Sequence, residues 1–158
     1  MEPVPPGEDA TGTDGIPFET TVALDGKEGC IARARRLTGD FLTRVRHRHG
    51  LPVPGRVRDL SQLVVSELVT NALRHAPGPV LLQLRIADDT VEIVVWDTDP
   101  VLPVPRPPDP TRVGGHGLEI VRAVAQELDA LREPVGKRII ARLGLSAGEP
   151  PGPTASDG

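Results

Sequence analysis

Four stretches of the chain alternate apolar and polar residues with the two-residue period of a half-buried strand. FETTVAL at 18–24 is short and β-branched, and RIIARLGL at 138–145 closes the patterned region. VLLQLRIA at 80–87 and TVEIVVWD at 90–97 are separated only by Asp88 and Asp89, which predicts a hairpin.

Three other stretches repeat every three to four residues and predict helices. The first, over 27–49, places Ile31, Ala34, Thr38, Phe41, Leu42 and Val45 on one face. Arg33, Arg36, Arg44, Arg46 and Arg48 lie on the other, either solvated or a docking surface for an acidic partner. Asp25 with Glu28 reads as an N-cap and capping box, and Gly50 as the stop. The second helix runs from Arg56 to His75 and is ended by Pro77 and Gly78. The third, over 117–130, turns Leu118, Val121, Ala125 and Leu128 inward, and a turn at 134–136 follows it.

Between these elements, LPVPG at 51–55 is a turn. Six of the eleven residues at 100–110 are proline, which predicts an extended, stiff surface loop. Residues 1–15 and 147–158 are rich in Pro, Gly and acid and show no periodicity. They predict disordered tails around a single domain at 16–146, because such segments cannot bury enough to offset ordering entropy. The order strand, helix, helix, hairpin, loop, helix, strand predicts an α+β fold. It is a two-layer sandwich, with helices on one face of a mainly antiparallel sheet.

Composition narrows the functional classes. Phe18, Phe41 and Trp96 are the only aromatic residues, too few for a platform that stacks single-stranded nucleic acid. The formal net charge of −4 supplies no general attraction for DNA or RNA. Cys30 is alone, so no intrachain disulfide framework exists. No run approaches the roughly 18 apolar residues of a membrane span, and no secretory signal pattern opens the chain. The expectation is a cytoplasmic protein without membrane or direct nucleic-acid contact.

The second helix holds the main anomaly. In VSELVTNALRHA at 65–76, Glu67 and Asn71 lie one turn apart, about 40° around the axis. Leu60, Leu63, Val64 and Leu68 flank them, so both polar groups face the core side, and His75 continues their line. An unpaired buried amide costs about 1–3 kcal/mol and a carboxylate more. Either internal partners satisfy the two groups or the site opens to a ligand or ion. Asp97 ends an apolar strand and either opens a turn before Pro100 or accepts a hydrogen bond from a ligand's exocyclic amine. Gly114, Gly115 and Gly117, in GGHGL at 114–118, expose backbone N–H groups at a helix start, where phosphate oxygens bind. The same glycines also suit a plain loop-to-helix joint.

Taken in order, E-x-x-x-N on a helix, a strand-ending Asp, a proline-rich loop and G-G-x-G-L opening a helix resemble the GHKL, or Bergerat-fold, ATP-binding family. Within it the chain is most similar to the small bacterial anti-sigma-factor serine/threonine kinases, over roughly residues 20–145. The resemblance implies ATP and Mg²⁺ as cofactors. It implies that Asn71 binds Mg²⁺ and that Glu67 is the catalytic general base. Asp97 would recognise the adenine amino group, and Gly114, Gly115, His116, Gly117 and Leu118 would hold the phosphates beneath a lid at 101–113. It further implies protein partners, a sigma factor and an anti-sigma-factor antagonist, and a possible homodimer through the first helix. Two other readings remain open: a nucleotide-binding regulator that sequesters a partner without phosphate transfer, and a detached histidine-kinase-like ATPase domain. The sequence departs from the family at Asp97-Thr98-Asp99-Pro100, where D-x-G-x-G is usual, and at Gly136-Lys137-Arg138, where a Gly-Lys-Thr-like triplet commonly supplies a hydroxyl to the adenine network.

Overall fold

The computed structural model describes residues 18–75, 78–98 and 117–145. Its elements are β1 (Phe18–Leu24), α1 (Cys30–His49), α2 (Gly55–His75), β2 (Val80–Ala87), β3 (Thr90–Asp97), α3 (Gly117–Val124), β4 (Glu127–Arg132) and β5 (Lys137–Gly144). The strands form one antiparallel sheet in the order β1-β2-β3-β5-β4. The helices lie against one face of it, α1 over β1 and β2, and α2 over β2, β3 and β5. This is the expected α+β sandwich. The predicted tails and the proline-rich lid at 101–113 lie outside the described residues.

Period-two burial puts the core cluster on one face of the sheet, with the Val94–Ile140 pair also buried on the other. Val80, Leu82, Leu84 and Ile86 of β2 are buried, while Leu81 and Gln83 point the other way. Across β3 and β5 the inward pairs are Val91–Leu143, Ile93–Ala141 and Val95–Ile139, and all six side chains are almost fully buried. The next inward pair in that column is Asp97–Lys137. On the outer face the column turns ionic, with Arg142 bonded to Glu92 at 3.0 Å and to Glu127 at 2.8 Å.

Two sequence expectations are corrected. The third helix does not reach residue 130 but ends at Val124, and residues 127–132 form the edge strand β4 against β5. Ala125 N–H still donates to the Val121 carbonyl, whereas Gln126 N–H already donates to Arg142 across the sheet. The spacing of Leu118, Val121, Ala125 and Leu128 suits a helix. Leu128 and Ala130 also suit a strand with alternate residues inward, and pairing with β5 decides between them. The second correction concerns the capping box. The α1 helix starts at Cys30 behind Gly29, whose left-handed φ of 88° makes it the N-cap without a side-chain bond. Asp25 instead accepts the Lys27 N–H at 2.8 Å in a local turn. The C-terminal stop is as expected, with Gly50 left-handed and its N–H donating to the Arg46 carbonyl.

Gly136 closes the β4–β5 turn at φ +80°, and a Cβ there would fall on the Asp97 carbonyl oxygen and 2.8 Å from Thr98 Cα. Gly136→Ala is expected to lose about 2–4 kcal/mol, combining positive-φ strain with overpacking against backbone. A urea unfolding midpoint unchanged from the native protein would contradict that close approach.

Candidate functional site

The α2 helix is the middle layer of the helical face, with α1 and α3 packed against it and the sheet beneath. Val64, Val65, Leu68 and Val69 have no exposed surface at all, and Ala72 has almost none. Glu67 and Asn71, interleaved with them, are half-buried. They sit on the seam between sealed core and surface, so neither a packed core network nor a solvated helix face describes them.

The Glu67 side chain lies against the first residue of α3. A Cβ added to Gly117 would come 2.7 Å from Glu67 Oε1 and 3.5 Å from its Cβ. Any larger residue at 117 would require the carboxylate to shift from this position. The start of a helix carries partial positive charge, a favourable surrounding for an anion. One turn further along α2, the Asn71 Nδ2 atom is buried and has no hydrogen-bond partner among the described residues. A half-turn of the amide presents its oxygen in the same place. An orphaned amide beside a carboxylate and a glycine-started helix is the arrangement expected where a further polar group completes the site.

At the end of β3, the structure gives Asp97 a partner that the sequence reading missed. Lys137 Nζ donates to Asp97 Oδ1 at 3.0 Å, and each side chain is only 1% exposed. The ion pair arises because the two residues are cross-strand partners on the helix-covered face, at the point where the apolar column of β3 and β5 ends. One signal was available: Lys27 and Lys137 are the only lysines in the chain, and Lys137 follows the turn glycine at the start of the last strand. Arg138, the next residue, points to the opposite face. There its guanidinium lies 5.9 Å over the Trp96 ring and pairs with Glu133 at 3.1 Å.

Of the other expected site residues, Gly117 and Leu118 open α3, and Leu118 packs against the core. Gly114, Gly115 and His116 lie outside the described residues, as does the side chain of His75. The five arginines named on α1 are exposed. Cys30 is buried, and burial pushes its thiol up, away from the thiolate form that reacts.

The fold and this cluster define a class: a two-layer α+β sandwich with an acid and an amide on its central helix, the acid against a glycine-initiated helix. Residues 31–143, more than half of the chain, match the family model of the histidine kinase-like ATPase domain, and the chain belongs to that family. Membership brings ATP binding with it. Among solved structures, the RsbU and RsbW domains of Rv1364c from Mycobacterium tuberculosis superpose with a TM-score of 0.59 at 16% identity, over 80% of this chain and 32% of that one. The chain therefore spans about a third of the length of that solved two-domain chain. A histidine kinase domain from the Erythrobacter litoralis EL346 blue-light activated histidine kinase gives a TM-score of 0.42 at 21% identity, over 72% of this chain and 61% of that one. No curated protein matches the sequence. No helix among the described residues is long and apolar enough to cross a membrane.

Proposed function

We propose that this chain is an ATP-dependent serine/threonine protein kinase of the anti-sigma-factor type. It binds ATP between α2 and the start of α3 and transfers the γ-phosphate to a serine hydroxyl of a protein antagonist, and it also binds a sigma factor. The observation that carries the reading is the juxtaposition of Glu67 with Gly117, one helical turn from the orphaned Asn71 amide.

The residues present suit a magnesium–nucleotide centre. Among the described residues, no group of three or more His, Cys, Asp or Glu could hold a metal. In this reading Asn71 supplies one hard oxygen ligand, and the nucleotide phosphates and water supply the rest, the usual manner of Mg²⁺ binding. Bound Mg²⁺ neutralises charge on the phosphate oxygens and orients them. Glu67 takes the proton from the attacking serine hydroxyl as its oxygen bonds to the γ-phosphorus. The bond from that phosphorus to the bridging oxygen breaks, and ADP leaves with the electron pair. Gly114, Gly115, His116, Gly117 and Leu118 hold the phosphates at the helix start, and Asp97 accepts a hydrogen bond from the adenine amine. The exposed arginines of α1 offer a surface for an acidic partner or a second copy of the chain.

Mg·ATP is expected to raise the melting temperature, since ligand at about 100 times its Kd stabilises by about 2.7 kcal/mol. No shift at millimolar nucleotide would remove the reading. Asn71→Ala is expected to abolish the difference in ATP affinity with and without Mg²⁺, and an unchanged Mg²⁺ dependence would take Asn71 out of the metal site.

A sequestering regulator that binds nucleotide without transferring phosphate is the second reading. Phosphate transfer from labelled ATP to a serine-containing protein recovered with this chain separates the two.

A further inference from the structure

We propose that the acidic segment ahead of β1, residues 1–17, docks along the exposed arginine face of α1 and competes there with any acidic partner that this face receives. The inference stands apart from the nucleotide reading and from the identity of that partner.

The fold itself does not call for the arginines of α1. Arg33, Arg35, Arg36, Arg44, Arg46 and Arg48 are all exposed, and Asp40 is the only acid in the helix. The last turn, from Arg46 to His49, suits the negative end of the helix dipole. Arg33, Arg35 and Arg36 do not, because they sit in the positive half of a helix whose first turn holds no acid. Arg44 and Arg48 stand at the i, i+4 spacing at which like charges destabilise a helix. On the outer sheet face, Arg85, Arg138 and Arg142 each have an acid within 3.5 Å. Among the described residues no ion pair reaches the six on α1, and Arg33 donates only to the Ala23 carbonyl at 3.5 Å. An anionic group laid across this face would relieve both the repulsion and the unfavourable dipole.

The chain supplies such a group nearby. Residues 1–17 hold four acids, Glu2, Glu8, Asp9 and Asp14, and no basic residue. They join the described structure at Phe18, whose ring stacks on His49, the last residue of α1, with centroids 3.7 Å apart. The segment therefore starts from the basic end of the helix. Asp14 is four residues from Phe18, a reach of up to about 13 Å that takes in Arg48 and Arg44. Glu8 and Asp9 reach up to about 30 Å, while Arg36 and Arg33 lie only about 20–24 Å along the helix from His49. Exposed ion pairs are individually weak, a poor hold for a free peptide. Tethering changes the balance, because the attached segment faces its own helix at an effective concentration of about a millimolar. A second copy offers the same acids only at its solution concentration, so the chain's own segment is the favoured occupant.

The test is paramagnetic relaxation on the full chain, with a nitroxide on Thr11→Cys in a Cys30→Ala background. At about 20 mM salt the label is expected to broaden the backbone amides of Arg36, Arg44 and Arg48, and the effect to fall by about threefold or more at about 1 M salt. It is expected to fall likewise at low salt in the neutral-segment variant Glu2→Gln/Glu8→Gln/Asp9→Asn/Asp14→Asn. Hexaglutamate, used as an acidic probe, is expected to bind that variant about threefold or more tightly than the native chain, because its tethered competitor is gone. No broadening on α1, broadening that persists in the neutral-segment variant, or equal hexaglutamate affinity for the two proteins would overturn the proposal. Equal broadening when the nitroxide sits on one copy and the observed amides on another would give the face to a second copy, and would overturn it as well.

Discussion

Lys137→Met is expected to destabilise the folded protein by about 3–5 kcal/mol, a large part of the stability of a single domain. The cause is not the loss of an attraction but what the change leaves behind. Asp97, with a side chain 1% exposed, would be left in the core without the cation 3.0 Å away. The double variant Asp97→Val/Lys137→Ile extends the apolar Val95–Ile139 pairing by one step and is expected to return to within about 1–2 kcal/mol of the native protein. Urea unfolding of the three proteins checks this. A single variant that loses less than about 1 kcal/mol would show that the pair is open to water and not part of the core.

The second large effect is kinetic. Glu67→Gln keeps the shape that fits against Gly117 but cannot accept a proton. It is expected to lower phosphate transfer by about 10²–10⁴-fold, the usual contribution of a positioned general base. In the proposed mechanism the carboxylate serves the incoming hydroxyl and not the nucleotide, so ATP affinity is expected to stay close to native. Transfer at the native rate would take Glu67 out of the mechanism. A parallel loss of transfer and ATP affinity would make it a binding residue.

Much of this architecture is legible in the chain because its signals are local. The hairpin of β2 and β3 shows as two alternating runs around Asp88-Asp89, and the C-terminus of α1 as a glycine after a basic turn. Glu67 and Asn71 stood out because an amphipathic pattern with two polar intrusions is visible within a dozen residues. The misses are of another kind. Whether 127–132 continues a helix or forms β4 is settled by hydrogen bonds to β5, which no local period records. The start of α1 at Gly29 instead of the Asp25–Glu28 box depends on a left-handed glycine, and helix ends are set within one or two residues by such details. Lys137 meets Asp97 from 40 positions away, and only the register of two strands brings them together. What is local along the chain is readable, and what the sheet assembles is not.

The central claim is that the seam between α2 and α3 receives a metal-bound triphosphate. Paramagnetic relaxation by Mn²⁺ in place of Mg²⁺ tests it at the atoms concerned. With Mn·ATP bound, the side-chain amide of Asn71 and the backbone amide of Gly117 are expected to broaden beyond detection in the NMR spectrum, and neither is expected to respond to Mn²⁺ without nucleotide. Sharp, unshifted Asn71 and Gly117 signals at saturating Mn·ATP would place the nucleotide elsewhere and contradict the site.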